Sequence, residues 1–212
     1  MTVAVFLELL RVSLWGGEPH IPDDFKDWGK VFTLAKTQSV LSLVANAVLN
    51  DPKLSGQLAD GLKAKLKGHV MANMATHSIL NNSVVQVVSA LDAAGIPSVL
   101  LKGQALARNY PIPELRACGD IDIYVGEENY EKAYEAILPI VSEIDDKSKI
   151  WNWMHFDAKV GTIMLEVHQK ADYMRSIKGD RLYREYMRKG LSENLRQIQF
   201  ADTEVQTPND TY

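Results

Sequence analysis

The stretch Asp120-Ile121-Asp122-Ile123-Tyr124-Val125 restricts this chain more than any other. Its alternation predicts a half-buried strand. Ile121 and Ile123 point into a core, and both carboxylates project from the opposite face. Two like charges on one strand face destabilise each other unless a cation sits between them. The pattern therefore points to a metal site.

The chain has 212 residues, 46% of them hydrophobic, which is enough core for one large domain or two small ones. Lysine and arginine number 23 against 27 acids, a net charge of −4. No general basic surface advertises nucleic acid, although a local cluster suffices for a nucleotide. Cys118 is the sole cysteine; it excludes an intrachain disulfide framework and a cysteine-rich zinc site, and it makes the cytoplasm the default. The apolar N-terminus lacks a basic leader region and carries Glu8 and Arg11 within its run, unlike a signal peptide. No stretch reaches the roughly 18 uninterrupted apolar residues of a membrane span. The expectation is a soluble cytoplasmic protein with no membrane partner.

Residues 2–14 repeat apolar side chains at Val3, Phe6, Leu7, Leu10 and Leu14, one face of a helix that Gly16-Gly17 stops. A second helix, capped by Asp23 or Asp24, buries Phe25, Trp28, Val31, Phe32 and Ala35. A third covers 38–49 and closes at Asn50-Asp51-Pro52. Residues 55–94 read as mostly helix, with a break near Gly61 or Gly68. Its seam is Leu66, Val70, Asn73, His77, Leu80, Val84, Val87 and Leu91. Asn73 and His77 either form hydrogen bonds within the packing or face a ligand cleft. Gly95 caps the helix and Pro97 prevents its continuation.

The texture then changes. A short strand at 99–102, one or two helical turns at 104–109, a loop at 110–119 and a strand at 120–125 lead to a helix over 127–141. Tyr130, Ala133, Tyr134, Ile137 and Leu138 face inward on that helix, and Glu127, Glu128 and Glu131 complement its dipole. Residues 151–160 and 162–169 form an antiparallel hairpin around Gly161, with Ile163, Leu165 and Val167 on one face and Met164, Glu166 and His168 on the other. A charged helix to about residue 189, a weak strand at 197–200 and a polar tail complete the chain. The fold class is α+β, with a helical region at 1–95 and an α/β domain at 96–212.

A strand Asp-x-Asp plus a third carboxylate on a nearby strand is what two-metal phosphoryl-type transfer requires. Hard oxygen ligands suit magnesium, which shares its remaining positions with substrate phosphates. Glu166 is the candidate third carboxylate, because it alternates with apolar neighbours on a predicted strand.

These residues resemble the polymerase-beta-like nucleotidyltransferase superfamily and, within it, the family of uncharacterised nucleotidyltransferases. The signature reads here as Leu100-Leu101-Lys102-Gly103, Tyr110-Pro111-Ile112-Pro113, Leu115-Arg116 and Gly119-Asp120-Ile121-Asp122. Glu166-Val167-His168 matches the family's later Glu-x-His, and His155 a preceding strand histidine. The resemblance implies a mixed β-sheet flanked by helices. It implies Mg²⁺ or Mn²⁺ as cofactor and a nucleoside triphosphate, ATP first, as substrate. Asp120 and Asp122 would be paired metal ligands, with Glu166 as a further ligand or as base for the acceptor hydroxyl. Gly103 would let phosphates approach the backbone, Lys102 and Arg116 would neutralise them, and the amide of Gln104 would donate to one. His168 would line the site or pack beside it. The acceptor, whether small molecule, protein or RNA, is not specified. Family chains usually continue through further helices, so this one, stopping at Tyr212, is expected to be a shortened form lacking part of an acceptor pocket.

Each assignment has a plainer competitor. The aspartates could be a surface acid pair, Glu166 a solvent-facing strand residue, and Lys102 and Arg116 salt bridges holding the loop. His155 reads as packing, Cys118 as a small filler, and Trp151 and Trp153 as core and rim or as a base-stacking pair. Gln104 stands where the superfamily carries a hydroxyl. That departure favours an alternative function, a catalytically weak nucleotide-binding or protein-interaction module.

Overall fold

The computed structural model describes residues 1–149, 154–172 and 174–209; the expectations for Trp151 and Trp153 lie outside them. Two compact units share the chain, Met1–Ser78 with Leu106–Cys118, and Ile79–Ala105 with Gly119–Tyr212. The fold is α+β, as the pattern of elements predicts.

The first unit is helical. Helices α1 (Thr2–Trp15), α2 (Trp28–Thr37) and α3 (Leu41–Asn50) pack on one another, followed by a short α4 (Pro52–Gly56). Phe25, Trp28 and Phe32 form an aromatic ladder in its core, edge-to-face at 5.1 Å and then stacked at 6.1 Å. On α1 the buried side is Val5, Phe6 and Leu9, while Val3 and Leu7 are exposed, against expectation. The helix is apolar on nearly every side, so periodicity could not choose its inner face. The link that does is polar: Ser13 Oγ donates to the Leu43 carbonyl of α3 at 2.7 Å.

Helix α5 (Asp60–Ala93) runs 34 residues, through the expected breaks at Gly61 and Gly68. A glycine inside a helix costs about 1 kcal/mol, too little to interrupt so long a packed element. The seam holds: Leu66, His77, Leu80, Val84, Val87 and Leu91 are buried. Asn73 Nδ2 donates to the Glu114 carbonyl at 2.6 Å, the packing role rather than the cleft. The helix ends in a Schellman turn, with Ile96 N–H bonded to Leu91 O, Gly95 N–H to Asp92 O and Gly95 at φ +69°.

The second unit is built on a five-stranded mixed sheet. Strands β1 (Val99–Leu100), β2 (Asp120–Tyr124), β3 (Glu143–Ile144), β4 (His155–Val160) and β5 (Ile163–His168) lie in the order β1-β2-β5-β4-β3. Only the β2–β5 pair is parallel. The four-residue helix α6 (Gln104–Ala107) lies between β1 and β2 in the chain. Ile121, Ile123, Leu165, Val167, Phe156 and Ala158 bury one face. Helix α7 (Tyr130–Ile137) covers it, both its tyrosine rings lying 5.2 Å from Phe156. It is shorter than expected, so only Glu131 sits in its first turn, and Leu138 is exposed. Helix α8 (Ile177–Glu193) precedes a hairpin of β6 (Leu195–Phe200) and β7 (Thr203–Pro208). Residues 203–208, expected to be part of a polar tail, are thus a strand. Val205 and Thr207 are its buried residues, and its turn uses Ala201 at φ +47° where glycine or asparagine is usual.

Candidate functional site

The face of the sheet opposite α7 carries the polar side chains, and the strand register sets them in rows. Asp122 pairs with Glu166, which pairs with Asp157; one step along, Tyr124 pairs with His168, which pairs with His155. Asp120 lies two residues before Asp122 on the same face. The parallel β2–β5 pairing therefore sets two carboxylates directly side by side, each flanked by core residues that fix its strand.

Lys102 meets this row from the turn after β1. Its Nζ lies 2.8 Å from Asp122 Oδ1. The hydrogen bond to Asp122 raises the ammonium's pKa, and Glu166 and Asp120 add to the rise. Asp122 is in contact with Lys102, and Glu166 and Asp120 act on the lysine through their charge. Burial alone would push the Asp122 carboxyl up, since only 2% of it is exposed; the hydrogen bonds with His168 and Lys102 outweigh that and hold it below its ordinary value. Asp122 is a carboxylate at neutral pH.

The turn that delivers Lys102 needs its glycine twice. Gly103 sits at φ +52°, and a Cβ there would lie 3.3 Å from the Asp120 carbonyl. Leu101 N–H donates to Asp122 O at 3.0 Å, extending the β1–β2 pairing into the turn. Gln104 is buried, its Nε2 2.5 Å from Asn81 Oδ1 on α5, so the amide suggested for a phosphate already serves a helix contact. Arg116 belongs to the first unit, where its Nη1 lies 2.6 Å from Cys118 Sγ.

Beyond Glu166 the row becomes nitrogenous. His168 Nε2 lies 3.3 Å from Asp122 Oδ1 and 3.2 Å from Glu166 Oε2. His155 Nδ1 lies 3.9 Å from Glu166 Oε2, and its Nε2 3.4 Å from Asp157 Oδ1. Each of His155, Glu166 and His168 offers a ligand atom within 4.8 Å of the others. His155 and Asp157 were not singled out as site residues from sequence, yet a signal existed. Treating Gly161-Thr162 as a two-residue turn sets His155 opposite His168 and Asp157 opposite Glu166.

Where β2 and β5 end, a cavity of about 390 Å³ opens between Tyr124, Gln169 and the basic face of α8, Arg181, Arg184 and Arg188. Glu127 and Glu128 balance that charge.

A family model described as uncharacterised nucleotidyltransferase matches residues 24–212. The chain belongs to that family. Nucleotidyltransferases of this description thus carry, in this member, an acidic and histidine-bearing row on the face opposite α7. The matched region begins after α1. None of the curated proteins and none of the solved structures matches the chain. Among the described residues no helix is long and apolar enough to cross a membrane.

Proposed function

We propose that this nucleotidyltransferase moves a nucleoside monophosphate from a nucleoside triphosphate, ATP in the first instance, to a hydroxyl-bearing acceptor, with Mg²⁺ or Mn²⁺ at Asp120, Asp122 and Glu166. The observation that carries the reading is the direct cross-strand pairing of Asp122 with Glu166, with Lys102 Nζ 2.8 Å from Asp122 Oδ1. The donor set fits the ion: hard oxygens, with Asp122 held ionised by its partners. When bound, the ions supply charge neutralisation at the α-phosphate and an activated acceptor oxygen.

The protein's own groups do the rest. The acceptor hydroxyl attacks phosphorus in line, its proton passing to Glu166 or to water. The bond to the bridging oxygen breaks and pyrophosphate leaves. Lys102, on a stem 59% exposed, turns from Asp122 to a phosphate oxygen and neutralises charge as it develops. Gly103, where a Cβ would lie 3.3 Å from the Asp120 carbonyl, lets the turn that carries Lys102 sit close against β2.

The test is transfer of label from α-³²P-ATP into acceptors in a cell extract. Transfer should require Mg²⁺ or Mn²⁺ and should fall at least about a hundredfold in Asp120→Asn/Asp122→Asn, the loss expected when transition-state charge is no longer stabilised. Undiminished transfer in that variant removes the assigned site. The burial of Gln104 against Asn81 favours a second reading, a weak nucleotide-binding module. It is supported instead if ATP binds to both proteins equally and no label moves.

A further inference from the structure

His155 Nδ1 is buried and has no hydrogen-bond partner among the described residues. Its other nitrogen, Nε2, lies 3.4 Å from Asp157 Oδ1. Asp157 Oδ1 is likewise buried with no hydrogen-bond partner among the described residues, so the two atoms are close without being bonded. His155 Nδ1 lies 3.9 Å from Glu166 Oε2. His168, 3% exposed, brings Nε2 to 3.2 Å from the same Glu166 oxygen, and coordination through this nitrogen would replace its hydrogen bond with Asp122. Two imidazole nitrogens and one carboxylate oxygen thus surround a common point. Asp157, 3.4 Å from the other ring nitrogen of His155, is placed to accept its proton once an ion holds Nδ1, as carboxylates do behind metal-bound histidines.

We infer that His155, Glu166 and His168 form a binding site for a borderline divalent transition ion of the Zn²⁺ class, with Asp157 orienting His155. Two nitrogens and one oxygen select this class over Mg²⁺, which prefers oxygen alone. Two histidines with one glutamate also leave positions open, as in catalytic rather than structural zinc sites. The site shares Glu166 with the proposed nucleotidyl-transfer centre but rests on its own donors, so it requires no nucleotide. Metal specificity would therefore be split: an oxygen-only locus at the aspartates, and a nitrogen-bearing one across β5 and β4.

The experiment titrates the full chain, stripped with chelator and without nucleotide, with Co²⁺ as an optical stand-in for Zn²⁺. The wild type should bind one Co²⁺ with visible d–d bands, displaced by Zn²⁺ and not by millimolar Mg²⁺. His155→Ala should abolish the bands, and Asp157→Asn should weaken binding about 10–100-fold. Circular dichroism of each variant checks the fold, and the half-exposed Asp157 provides a variant that spares the core. Absent bands in the wild type, or wild-type affinity in both His155→Ala and Asp157→Asn, overturn the inference. Failure of label transfer with Co²⁺ binding intact would count against the transfer reading alone.

Discussion

At the scale of single residues, the pair formed by Lys102 and Asp122 does two jobs. It keeps a buried carboxylate charged, and it holds a cation where phosphates are proposed to arrive. Lys102→Met would leave Asp122 with His168 alone. Because the ammonium is largely exposed, the loss at neutral pH should be modest, about 1 kcal/mol. Its pH dependence is more telling. The folded Asp122 has a pKa below 3.8, so its share of the stability is present above that value and fades as pH falls through the folded one. The folded Lys102 has a pKa above 10.5, so its share is present below that value and fades as pH rises through the folded one. The gap between wild type and variant should therefore be widest at neutral pH and close at both ends. Urea midpoints at pH 3, 7 and 11 would measure it; a gap independent of pH would mean that the pair contributes nothing electrostatic.

At the scale of elements, local chemistry explains both what could be read from the chain and what could not. Asn50-Asp51-Pro52 was legible as the end of a helix. The same residues also open α4, whose N-cap is Asp51, its Oδ1 accepting from Leu54 N–H at 2.9 Å with Pro52 in the first turn. Asp51→Ala should cost about 1 kcal/mol, the usual worth of such a cap, while Asp51→Asn should cost much less; thermal unfolding of the two variants decides it. Strand β2 was legible because its alternation is strict, and the α5 seam because it is long. The inner face of α1 was not, since apolar side chains surround it. Strand β7 was missed because its buried positions include Thr207 and its turn lacks glycine. The site followed the same logic. Asp120, Asp122 and Glu166 stand out as charges among β-formers; His155 was legible only as a strand histidine of the signature, and its place and that of Asp157 beside Glu166 emerge from the cross-strand register. A register is a property of two strands and one turn, and a shift of one residue would have turned both side chains to the core.

At the scale of the whole molecule, ligand binding and stability are linked, which makes the proposed chemistry testable without knowing the acceptor. Anything that binds the folded chain alone stabilises it, by about 2.7 kcal/mol at a hundred times its dissociation constant. In a chain of this length that corresponds to a rise of roughly 5–10 °C in Tm. Mg²⁺ with ATP should produce such a rise in the wild type, because ion and triphosphate complete each other's coordination. Either component alone should produce much less: Mg²⁺ without phosphates holds its waters, and ATP without the ion brings its negative charge towards three carboxylates. Asp120→Asn/Asp122→Asn should lose the synergy and gain a small response to ATP alone, since the repulsion is reduced. A binding module that recognises only the base and sugar would respond to ATP equally with and without the ion, in both proteins. Thermal scans of the two chains under these four conditions therefore separate an acidic, metal-bridged phosphate site from a nucleotide pocket elsewhere in the fold.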